Sequence, residues 1–149
     1  MSNPSRPSDI DRLARVAAMR NNLANLAEAR VREAEARVRD IIAEDEGLAR
    51  EIQTHNAARE TLAGSEIQIN ERHLETLRKK RKSLIQNLEN AKAKLVQMNA
   101  EWVQALREQK VTERVQARRM REWQRDENNS RPKSVDELTL SPILRSRES

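Results

Sequence analysis

The chain has 149 residues, no Cys, Phe or Tyr, two Trp and two Gly, and 36% of it is charged. So few aromatic and large apolar side chains argue against a pocketed catalytic domain, and the lack of Cys removes disulfides and thiolate metal sites. The formal charge of +5 is uneven. Residues 1–64 carry 10 Lys and Arg against 11 Asp and Glu, and residues 65–149 carry 19 against 13, so an acidic or phosphorylated partner meets the C-terminal half.

Residues 1–7 hold Pro4 and Pro7 and read as a flexible lead without the apolar stretch of a secretory signal. No run approaches about 18 consecutive apolar residues, so no segment reads as membrane-spanning and the expected location is cytoplasmic. Helix 1 is expected over 8–63. Ser8 is a good N-cap, and Asp9 and Asp11 suit the positive end of the helix dipole. Its apolar seam reads Val16, Met19, Leu23, Ala27, Val31, Ala34, Val38, Ile41, Asp45, Leu48, Ile52, His55 and Leu62. From Val31 to His55 the steps alternate between three and four residues, the spacing of a coiled-coil heptad. The four-residue steps from Met19 to Val31 read as a stutter.

Gly64 and Ser65 form the expected turn at 64–65. Gly64 suits the left-handed position after a helix, and Ser65 with Gln68 spells a capping box. Helix 2 is expected over 66–128, with Asn128, Asn129 and Pro132 as its stop and a flexible tail over 129–149. Its seam reads Ile67, Leu74, Leu77, Arg81, Leu84, Leu88, Ala91, Leu95, Met98, Trp102 and Ala105, then the polar Gln109, Thr112 and Gln116. Folding at the turn sets residue i opposite roughly residue 129 minus i, and seam then meets seam. Val38 faces Ala91, Ala34 faces Leu95 and Ala27 faces Trp102, large against small as interdigitation requires. The predicted fold is therefore all-α: a long antiparallel two-helix coiled-coil hairpin, more naturally monomeric than a parallel dimer of one uninterrupted helix.

Charge supports that register. Asp40, Glu44, Asp45, Glu46 and Glu51 fall beside the run from Arg78 to Lys82, which is better read as a matched helix face than as a nucleic-acid patch. His55 and His73 fall near each other. Without Cys, a carboxylate has to complete any metal site there, so they are read as a seam residue and a surface residue. No catalytic residues, cofactor or metal are expected.

The informative segment is 107–125. Arg107, Lys110, Arg114, Arg118, Arg121 and Arg125 fall within an arc of about 80° and point away from the seam. They form a basic stripe about 27 Å long. Arg119 lies beside it, and Arg12 and Arg15 neighbour it from helix 1. Val96 and Val103 at outer positions, with Ile85 on a flank, make a partial apolar row that runs into the stripe. Together these residues are the candidate partner-binding surface.

The stretch from Leu106 to Trp123, with the rhythm Glu113, Arg118, Arg119, Glu122, is similar to one in the FliJ/YscO-like family, the central-stalk proteins of flagellar and type III secretion export ATPases. Asp136-Glu137-Leu138 resembles the acidic pair that closes many members. The resemblance implies a non-enzymatic stalk or adaptor. The end carrying both termini inserts into a hexameric ATPase, the loop end faces the export gate, and export chaperones bind along the rod. Membrane association then comes only through those partners. Two other readings stand beside it: a nucleic-acid-associated coiled coil using the stripe on phosphates, for which weak nonspecific binding is expected, and a structural scaffold.

Overall fold

A computed structural model of the chain describes the backbone of residues 7–148 and the side chains of residues 8–130. Helix α1 spans Pro7–Ala58, a 3-10 turn follows at Arg59–Thr61, and α2 spans Ser65–Glu148. There is no strand among the described residues. The fold is the expected antiparallel coiled-coil hairpin.

The element ends differ from the sequence reading in three places, and residues 1–6 of the expected lead lie outside the described residues. First, α1 opens at Pro7, one residue before Ser8. Proline suits a first turn, because the amide it lacks has no intrahelical partner there. Second, α1 tightens into the 3-10 turn before residue 63, and the chain reverses through extended Leu62 and Gly64 at φ 65°. Gly64 takes the expected left-handed position, where a Cβ is costly. Ser65 is already helical, so its side chain does not stand ahead of the free amides as a cap must. Neither bond of the S-x-x-Q box forms. The Ile67 amide donates to the Gly64 carbonyl instead, at 3.3 Å. Third, α2 passes Asn128, Asn129 and Pro132 and runs to Glu148. The expected stop rested on the weak helix formers Asn128 and Asn129 and on Pro132, whose missing amide and ring clash cost about 3 kcal/mol inside a helix, and the helix continues through all three.

The chain divides into two compact units. The turn unit is Asn25–Val103, and the terminal unit is Met1–Ala24 with Gln104–Ser149. In the turn unit the apolar seam is closed. Val31, Ala34 and Ile41 of α1 and Leu74, Leu77 and Leu84 of α2 are buried, Leu74 completely. Each large aliphatic side chain buried this way contributes roughly 1.5–3 kcal/mol. Val38, Leu48, Ile52, Leu88, Ala91, Leu95, Met98 and Trp102 are half-buried in the same seam. Ala34, Ala91 and Met98 line one groove, as the register requires.

Polar side chains complete that seam. Asp45 accepts from Arg81 Nε at 3.0 Å, one layer off direct opposition. It is the one cross-helix ion pair that the facing acidic and basic runs make among the described residues; Lys79 turns to Glu75 of its own helix at 3.5 Å. Asn70, missed in the seam reading, is buried, while Ile67 is 38% exposed. The Asn70 amide oxygen can only accept, so His55 Nδ1–H donates to it at 3.0 Å. Asn70 Nδ2 donates in return to the His55 carbonyl at 3.2 Å. Beside them, Arg59 of the 3-10 turn pairs with Glu71 at 2.6 Å.

The terminal unit is built differently. Its α1 seam runs Leu13, Ala17, Arg20 and Ala24, of which Ala24 alone is buried. These steps alternate four and three, so the heptad is kept and the expected stutter is absent. Met19 and Leu23, expected on the seam, are 50% and 43% exposed. The larger residues lie off the face that the heptad sets. On α2 the half-buried row is Ala105, Gln109, Thr112, Gln116 and Arg119. Its cross-helix bonds are polar: Arg20 Nη1 donates to Glu108 Oε2 at 2.7 Å, and Gln109 Nε2 donates to Asn21 Oδ1 at 2.7 Å.

Candidate protein-binding surface

The outward stripe sits on the terminal unit because the α2 heptad puts it there. With Gln109, Thr112 and Gln116 turned to α1, residues 107, 114 and 121 fall diametrically opposite, and 110, 118 and 125 fall beside them. Arg107, Lys110, Arg114, Arg118, Arg121 and Arg125 are all exposed. Arg118 pairs with Glu122 one turn on, at 3.4 Å. The other five make no ion pair among the described residues. Arg12 and Arg15 of α1 are exposed too. Arg119 is separated from the stripe: it occupies a seam position and is half-buried.

The apolar candidates lie in the turn unit. Val96 is 69% exposed, and Ile85 and Val103 are also open to solvent. None of the three takes part in the closed seam. Sequence reasoning placed them correctly as outward-facing, but it missed Val111 and Val115, exposed apolar residues of α2 within the terminal unit. Their sequence signal was available: two valines at i, i+4 between polar seam residues.

The histidines are a structural feature. His55 and His73 meet edge to face with ring centroids 4.5 Å apart, and His55 is engaged by Asn70. No group of three or more His, Cys, Asp or Glu that could hold a metal occurs among the described residues. No helix in that range is long and apolar enough to cross a membrane. What the surface offers is cationic side chains and solvent-facing aliphatic ones, the chemistry of macromolecular contact.

Residues 9–148 match the family model described as Flagellar FliJ protein. The chain belongs to the FliJ family. No curated protein and no solved structure matches it. FliJ proteins are coiled-coil proteins associated with flagellar export, and the match takes in both helices, the turn and the whole basic stripe. The FliJ family is a structural and export-associated one. Asp136 and Glu137, the acidic pair named in the resemblance, lie in the helical stretch whose side chains are outside the described residues.

Proposed function

We propose that this FliJ-family chain is the central stalk and adaptor of a flagellar export ATPase at the cytoplasmic face of the membrane. The terminal unit enters the ATPase ring, and the turn unit is presented to the export gate or to export chaperones. One observation carries the reading: within a FliJ-family chain, the terminus-bearing unit holds a continuous row of exposed cations, five of them without an ion-pair partner among the described residues. Charges aimed outward from a stiff helix contact the subunits of a ring unequally. They shift the conformational populations of those subunits only through that difference in contact.

The stripe is the part to remove. Substituting Arg107, Lys110, Arg114, Arg118, Arg121 and Arg125 by Gln keeps good helix formers in place. The expected outcome is retained helicity by circular dichroism with loss of the stimulation of ATP turnover that the unaltered protein gives its purified export ATPase. The nucleic-acid alternative has a different signature. A protein neutralising about six phosphates loses affinity with a log–log salt slope near −5. Tight DNA or RNA binding that survives physiological salt, with no effect on the ATPase, replaces the stalk reading with the alternative.

A further inference from the structure

The terminal unit carries a second surface, distinct from the stripe. With heptad positions lettered a to g and the seam at a and d, Val16 and Leu23 of α1 occupy g positions and Met19 a c position. On α2, Val115 is at g and Val111 at c. Reversing one helix against the other brings g beside g, so all five residues share one flank of the unit. The polar bonds fix that geometry independently. Arg20, at d, reaches Glu108, at g, on this flank, while Asn21, at e, takes the bond from Gln109 on the other. Met19, Leu23, Val111 and Val115 are 50%, 43%, 58% and 39% exposed. They form an apolar strip along the groove between two helices, in a unit whose own seam mixes small apolar residues with Arg20, Gln109, Thr112, Gln116 and Arg119.

We infer that this strip is the seat of a third helix, supplied by a partner protein: an amphipathic helix with an apolar row and acidic flanks. Shape and charge select that occupant. The apolar residues recur at three- and four-residue steps on both helices, which is how a helix lying in a groove is received. The rim is cationic. Arg12 and Arg118 sit at c positions on this flank, and Arg15, Arg114 and Arg121 lie in the next row out, all exposed. Two of the three anions of the flank are already engaged, Glu108 by Arg20 and Glu122 by Arg118, and Asp9 at the end of α1 is the third, outnumbered by the five arginines of the rim. Acidic flanks on the incoming helix meet this rim, and like charges are repelled by it. The same argument disfavours a second copy of this chain, because an isologous contact sets one cationic rim against another.

The inference rests on the stalk reading and deepens it by naming the chemistry that the terminal unit receives. Its test needs no ATPase. The probes are two synthetic peptides about three heptads long with identical Leu and Ile rows, one flanked by Glu and the other by Lys. Titrated calorimetrically into the full chain, the Glu-flanked peptide binds at least about tenfold more tightly than the Lys-flanked one. Leu23→Asp with Val115→Asp weakens that binding by about tenfold or more, while helicity persists because both side chains face solvent. The milder pair Met19→Gln with Val111→Gln weakens it less, and Ile69→Asp, at an exposed position of the turn unit outside every candidate surface, leaves it unchanged. Equal affinity for the two peptides, indifference to both double substitutions, or self-association of the chain that the same substitutions abolish overturns the proposal. Lost peptide binding with ATPase stimulation intact condemns only this inference; the reverse pattern condemns only the stalk.

Discussion

The turn unit and the terminal unit use the same two helices and the same heptad, yet different chemistry closes them. In the turn unit Val31, Ile41, Leu74, Leu77 and Leu84 are withdrawn from water. In the terminal unit Arg20, Glu108, Gln109 and Asn21 hold the helices together through two bonds of 2.7 Å. Removing aliphatic surface from water contributes about 25 cal/mol per Å². A partly exposed polar bond contributes a net ~1 kcal/mol or less, because water competes for both partners. The difference is one of role. The turn unit buries its large aliphatic side chains in its own seam, whereas the terminal unit leaves Met19, Leu23, Val111 and Val115 outside its seam, where another molecule can cover them.

The largest loss of stability is expected from a cut into the closed seam. Leu74 has no exposed surface. Leu74→Ala leaves a cavity that the facing helix fills only in part, so it should cost about 2–5 kcal/mol. Val111→Ala in the terminal unit should stay within about 0.5 kcal/mol. Denaturant melts followed by circular dichroism measure both. Equal losses at the two positions dissolve the distinction between the units.

The converse substitution sharpens it. Thr112 and Gln116 are half-buried on the α2 seam. Replacing both with Leu should tighten the terminal unit by about 1 kcal/mol per position, since each new side chain is only partly withdrawn from water. Amide hydrogen exchange over residues 8–24 and 104–130 should slow, with no change over 25–103. Unchanged exchange in the terminal unit means that its polar seam is not what limits its stability.

The two units were also unequally legible in the sequence. Where the seam is made of large aliphatic residues, the heptad announces itself, and every seam position read between Val31 and His55 is buried or half-buried. Where it passes through Ala17, Arg20 and Ala24, size misleads: Met19 and Leu23 are larger, yet they stand 50% and 43% exposed beside a seam of small residues. Periodicity was the better guide there, because a heptad fixes a face whatever occupies it. Asn70 escaped for a related reason: a polar residue at a seam position shows its fitness only when its partner, His55, is in place. The outward stripe was legible because it depends on the period alone. Arg119, expected beside it among the partner-binding candidates, instead lies on the seam, because one residue moves a helical side chain by about 100°.

The finest difference lies within the turn unit, where Asp45 and Arg81 interrupt the apolar seam. Their side chains are 26% and 42% exposed, and the bond is 3.0 Å. Exposure of that order keeps the net attraction small, about 0.5–1 kcal/mol after screening. The larger effect is on register, because a slip of one heptad sets each of them against an aliphatic layer. Asp45→Lys and Arg81→Glu should each lower stability, and the pair together should regain part of the loss, leaving a coupling energy near 1 kcal/mol. Raising the salt concentration should shrink that coupling without touching the loss caused by Leu74→Ala, since Leu74 carries no charge to screen. Strictly additive losses would mean that the two residues merely tolerate the seam. A coupling that survives high salt would place them deeper in the turn unit than their exposure allows. Coupling that fades with salt makes them a register device, the one polar cross-helix ion pair that the turn unit's facing charge runs contribute to its closed seam.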